Sequence, residues 1–161
     1  MAYSNNPENI RRFSGDQPMI LFRESLPAGS GRVFVSHFNT SWRPLDLVLA
    51  WRNPDPAGAA HVTFGRYSAL AGGLWPEPGI ELWRTFRAAP AAGSLAVPAS
   101  ETVETRIRSI LGNGLVMADL ELDRPLEMTA SLAPTGYQGG HGVLAPRSAP
   151  SRGGFFRPPT G

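Results

Sequence analysis

The chain has 161 residues, enough for one domain with a core of its own and too few for two without crowding. Apolar residues make up 42% and charged residues only 17%, a low charge content that suggests surface committed to contacts rather than to water. All fifteen basic residues are arginine and cysteine is absent, which excludes lysine Schiff bases, disulfides, zinc–thiolate sites, iron–sulfur clusters and cysteine nucleophiles.

Residues 1–17 read as a polar N-terminal arm whose apolar points are Ile10 and Phe13. The arm has no apolar leader core, and no later run is long enough for a membrane span, so none is expected. Short β-like runs follow. "PMILFRES" is brief and apolar and is closed by the turn-like "LPAGSG". "RVFVSHFN" carries Phe34 and Phe38 on one side and Val33, Val35 and His37 on the other, a two-sided apolarity expected of a central strand. "PLDLVLAWRNP" alternates, with Leu45, Leu47, Leu49 and Trp51 on one face, until the Asn53–Gly58 stretch breaks it.

"HVTFGRY" is a further strand, and then the period changes. In "IELWRTFRAA", Leu82, Phe86 and Ala89 recur at helical spacing, as do Ile80, Trp83 and Arg87, with prolines on both sides. This predicts one short crossover helix, with Trp83 and Trp51 both in the core. Beta patterning resumes through "GSLAVP" and "ETVETRIRSI", where Val103, Thr105 and Ile107 alternate with charged residues. "LVMADLEL" and "PLEMTASLAP" each place four small or apolar residues on one face, joined by the hairpin-like Asp123–Arg124–Pro125.

The pattern predicts a mainly β chain: a two-sheet antiparallel β-sandwich over residues 18–136, jelly-roll or immunoglobulin-like, with extended arms at 1–17 and 137–161. A single mixed barrel is the alternative. The series "GRVFVSHFNTSWRPLDLVLAWRNPDP" and "LGNGLVMADLELDRPLEMTASLAP", within a core of about three quarters of the chain, resembles a β-sandwich region of secreted proteins of spore-forming Gram-positive bacteria that often carries a copper-amine-oxidase N-terminal-domain label. The resemblance implies an extracellular or cell-surface β-rich protein of structural or adhesive character. It implies no oxidase activity, because the chain has neither an Asn-Tyr-Asp motif nor a histidine cluster for copper.

No catalytic motif stands out. His37, His61 and His141 are far apart in sequence and in no metal-ligand spacing, so neither a metal nor a cofactor is expected. Asp119 and Glu121 share one strand face, with Asp123 beyond, and read as the wet side of a sheet; a glycosidase-like carboxylate pair is the remote enzymatic reading. Asn39-Thr40-Ser41 matches the glycosylation acceptor pattern, as many chance triplets do. Trp42 and Trp75 lie in turn-like surroundings where an aromatic can stack on a sugar, which makes a glycan the alternative partner.

The C-terminal arm separates from the rest by charge. From Tyr137 onward there are three arginines and no acid, whereas the remainder holds twelve arginines against thirteen acids, a net of −1. One Arg-Gly-Gly unit without a basic core does not make a nucleic-acid binder. Fixing two dozen backbones costs about 1–2 kcal/mol each. Burying Phe155 and Phe156 returns only about 1.5–3 kcal/mol apiece. An ordered tail therefore needs backbone hydrogen bonds at a sheet edge or in a neighbour's groove. The expected subunit contacts are Ile10 and Phe13 in one arm and Val143, Leu144, Phe155, Phe156 and Arg157 in the other. Together these readings predict a non-enzymatic, self-assembling filament subunit at a cell or spore surface.

Overall fold

A computed structural model describes residues 2–5, 17–41, 43–72, 77–137 and 154–155. The described chain runs β1 (Ala2–Asn5), β2 (Met19–Leu26), β3 (Gly29–Asn39), β4 (Leu45–Arg52), β5 (Ala60–Ala71), α1 (Glu77–Ala88), β6 (Ala91–Val97), β7 (Thr102–Ile110), β8 (Gly112–Leu122), β9 (Leu126–Pro134) and β10 (Gly154–Phe155). The strands form two sheets, of order β10-β1-β3-β8-β5-β6 and β2-β9-β4-β7. Eight of them, β2 to β9, make two four-stranded antiparallel sheets in which the chain changes sheet at every connection except β5 to β6. That order is a jelly roll, and it sets aside both the immunoglobulin-like and the barrel readings.

Period-two burial explains the sandwich. The predicted faces of β4, β8 and β9 meet between the sheets: Leu45, Leu47, Leu49 and Trp51 pack with Val116, Ala118, Leu120, Leu122, Leu126, Met128, Ala130 and Leu132. Trp51 meets Phe64 of the opposite sheet edge-on, with ring centroids 5.9 Å apart. The outer face of the β4/β9 pair is also buried at Asp46, Val48, Ser131 and Ala133. Asp46 accepts a hydrogen bond from Thr135 Oγ1 at 3.0 Å. Gly29 opens β3 at φ +105°, a conformation that suits the predicted turn and favours glycine.

The helix joins two neighbouring strands, β5 and β6, and lies over the outer face of their sheet. Pro78 stands in its first turn, where the missing N–H costs nothing, and Glu77 and Arg87 complement the helix dipole at its two ends. A 12-residue helix is marginal alone. It is held by Leu82 and Phe86, buried against Leu115, Met117, Phe34 and Leu70. These sheet residues are the second apolar side of β3, β5 and β8. Trp83 departs from expectation: it is 49% exposed, as is Ile80 at 58%, because the Leu82/Phe86 stripe is the one that docks and the other stripe turns outward.

Candidate assembly edge and outer face

The sheet carrying the helix ends on one side in the chain termini. Ala2–Asn5 pairs in parallel with β3 in the register Ala2↔Val33, Tyr3↔Phe34, Ser4↔Val35 and Asn5↔Ser36. On its other side β1 pairs antiparallel with β10, Ala2↔Phe155 and Tyr3↔Gly154. The backbone at Phe155 is thus part of a sheet edge. Ile10, Phe13, Val143, Leu144, Phe156 and Arg157 lie outside the described residues, as do Trp42, Trp75 and His141. The opposite edge of the same sheet is β6, whose residues Ala91, Ala92, Gly93, Ser94 and Ala96 are exposed and uncharged.

Next to β3 the outer face carries the most organised side-chain cluster. Arg32 Nε donates to Asp119 Oδ1 at 2.7 Å, while Arg66 Nη2 lies 2.9 Å from Oδ2. Both guanidinium groups lie over the Phe86 ring, each 5.0 Å from its centroid, and Trp83 meets the same ring edge-on at 6.1 Å. One carboxylate therefore holds two arginines on an aromatic platform. Arg32 and Asp119 are direct partners in the β3–β8 register, whereas Arg66 comes from β5 on the other flank of β8. No local sequence signal announces that pairing, because the three strands are distant along the chain.

The carboxylates of β8 and the loop beyond it are all engaged. Glu121 accepts from Ser30 Oγ, and Asp123 accepts from the backbone N–H of His61 at 2.7 Å and pairs with its Nδ1 at 2.8 Å. Partial burial pushes the Asp119 carboxyl up, and the hydrogen bonds and charges of Arg32 and Arg66 outweigh it, so the group sits below the ordinary carboxylate range. Its stabilising contribution is therefore full above the unfolded value of about 3.9 and is lost as pH falls through the lower folded value. Asp119→Asn is expected to cost about 1–2 kcal/mol at neutral pH, with both arginines left beside a neutral amide. In urea titrations repeated down to about pH 2, the variant should lose less stability on acidification than the parent.

Two asparagines read from sequence as turn or sequon residues are loop organisers. Asn39 is 6% exposed; its Nδ2 donates to the carbonyls of Arg43 at 2.7 Å and Ile110 at 2.8 Å, and its Oδ1 accepts from Ser41. The nitrogen that would carry a sugar is committed on both hydrogens. Expression in a glycosylating host should leave Asn39 unmodified, with intact-mass spectrometry showing no hexose ladder. Asn53 fixes the opposite end in a similar way.

His37 is buried on the inner side of β3 and His61 is exposed at the end of β5, so the two do not meet. Among the described residues no group of three or more His, Asp or Glu side chains could hold a metal ion. A cleft beside the β2–β3 turn, lined by residues including Leu26, Pro27, Arg32 and Leu122, offers about 10 Å³, room for about one water molecule. No described helix is long and apolar enough to cross a membrane. Compared with known protein families, curated proteins and solved structures, the chain gives no match.

Proposed function

We propose that the chain is a non-enzymatic structural subunit that assembles with its own copies into an extracellular or cell- or spore-surface filament, joined through its terminal arms. One observation carries the reading: residues from both arms, 2–5 and 154–155, are adjacent strands at one edge of a sheet within the chain, which supports a role for the arms in backbone pairing. The uncharged β6 at the far edge, between Pro90 and Pro98, offers a second edge for backbone pairing. Contacts between unlike surfaces generate filaments when they do not close into rings. The surface location rests on the resemblance of the core to secreted β-rich regions, and jelly rolls serve assembling shells and lectins alike, an analogy at the level of fold.

Negative-stain electron microscopy of the full chain beside a version ending at Gly136 tests the reading. Filaments are expected from the first and dispersed particles from the second. Dispersed particles from both would remove it.

A carbohydrate-binding module is the second reading, favoured by the half-exposed Trp83 beside Phe86 and two arginines. Glycan-array binding that disappears in Trp83→Ala would support it over assembly.

A further inference from the structure

Among the described pairings one is parallel. All other described neighbouring strands are antiparallel, but β1 runs alongside β3 in the same direction. β3 is eleven residues long and pairs with β8 along its whole length on one side. Its other side would otherwise leave unpaired N–H and C=O groups along Val33–Ser36, an uncharged stretch whose Val33, Val35 and Ser36 are buried. The four residues of β1 cover that stretch.

Along the chain, β1 is joined to the rest of the molecule through a stretch outside the described residues. Residues 6–16 separate it from Gln17, and eleven residues at up to about 3.5 Å each reach about 40 Å, comparable to the diameter of a domain this size. The pairing itself is made by backbone groups, identical in every copy. The same strand therefore fits the same edge of a neighbouring molecule through the same hydrogen bonds, and concentration decides between the two.

We propose that in the assembled protein Ala2–Asn5 is donated to the β3 edge of a neighbouring copy, each chain receiving the equivalent strand from the next. The proposal rests on the assembly reading above and names its joint. Gly154–Phe155 then pairs with the far side of the donated strand, so that both arms contribute to one junction. Each copy gives one strand and takes one, and where the exchanges do not close into a ring they run on as a filament.

The absence of cysteine makes the test clean. Asn5 and Ser36 are register partners, and Ser36→Cys changes a buried side chain by one atom. Adjacent strand positions of this kind lie within the Cα separation a disulfide tolerates. Asn5→Cys chains and Ser36→Cys chains are mixed unfolded, refolded, allowed to assemble, oxidised and run on a non-reducing gel, with microscopy of the same samples. A heterodimer from the mixture, lost when either variant is omitted, is the expected result. The double variant should then give a ladder of covalent multimers.

Filaments in which the double variant runs only as an internally bridged single chain would overturn the exchange while leaving assembly standing. An internally bridged chain with no filaments would remove both. A chain beginning at Asn6 provides a check independent of cysteine: it can receive a strand but cannot donate one, so small amounts added to the full chain should shorten filaments. Unchanged filament length would count against the exchange.

Discussion

Trp51→Ala is expected to remove about 3–5 kcal/mol of stability, the range for truncating a large buried aromatic. Trp51 is 1% exposed and sits on the inner face of β4, with Val103 and Met128 as its register partners on the two sides. Its ring reaches Phe64 of the opposite sheet, so the indole fills the space between the two layers. The cavity left by alanine cannot close without moving one sheet against the other. Against a total of about 5–15 kcal/mol, that loss leaves a substantial unfolded fraction. Urea denaturation followed by circular dichroism, with an unchanged slope, measures it. Trp51→Phe should be much milder. The indole Nε1 is buried and has no hydrogen-bond partner among the described residues, and phenylalanine removes that donor while keeping most of the packing. A loss below about 1 kcal/mol in the alanine variant would refute the packing account.

Asn53→Ala is expected to cost about 2–4 kcal/mol, because it strips partners from two carbonyls at once. The side chain is fully buried, and its Nδ2 donates to Gly58 O at 2.8 Å and Val97 O at 3.2 Å. Its Oδ1 accepts from the Asp55 N–H at 3.0 Å, and its own N–H donates to Glu101 O at 2.9 Å. Three connections meet here: the β4–β5 loop, the β6–β7 loop and, through Arg124 donating to Asp55 at 2.8 Å, the β8–β9 turn. Asn53→Asp keeps the shape and the acceptor yet sets a carboxylate against two carbonyls, so it should be at least as damaging at neutral pH. Thermal melts of the two variants check both expectations; equal stability of parent and Asn53→Ala would show that the loops hold without the bridge.

Residue type alone marked Asn53 as a place where the chain turns, and that much was legible. Why this asparagine is buried was not, since its partners Gly58, Val97 and Glu101 converge only when the β4–β5 loop meets the end of β6 and the β6–β7 loop. The Arg32–Asp119–Arg66 cluster was hidden for the same reason: β8 lies between β3 and β5, a neighbourhood that no local pattern encodes. Trp83 illustrates a different limit. Helical spacing in "IELWRTFRAA" offers two apolar stripes, and docking through Leu82 and Phe86 selects one of them. Of the tail, only Gly154–Phe155 is described, paired with β1 within the chain.

What the sequence by itself determined is the run of strands β2 to β9 with the helix between β5 and β6, and the inward faces of β4, β8 and β9. Period-two alternation in β4, β8 and β9 is a local property, and the hydrophobic effect needs only that property to decide which side leaves water. The tertiary structure decided which strands are neighbours, and hence the jelly-roll order, the two arginines shared by Asp119, the buried asparagines and the terminal strands at the β3 edge. Those features depend on contacts between residues far apart in the chain, where the geometry of two packed sheets, and no local preference, sets the partner.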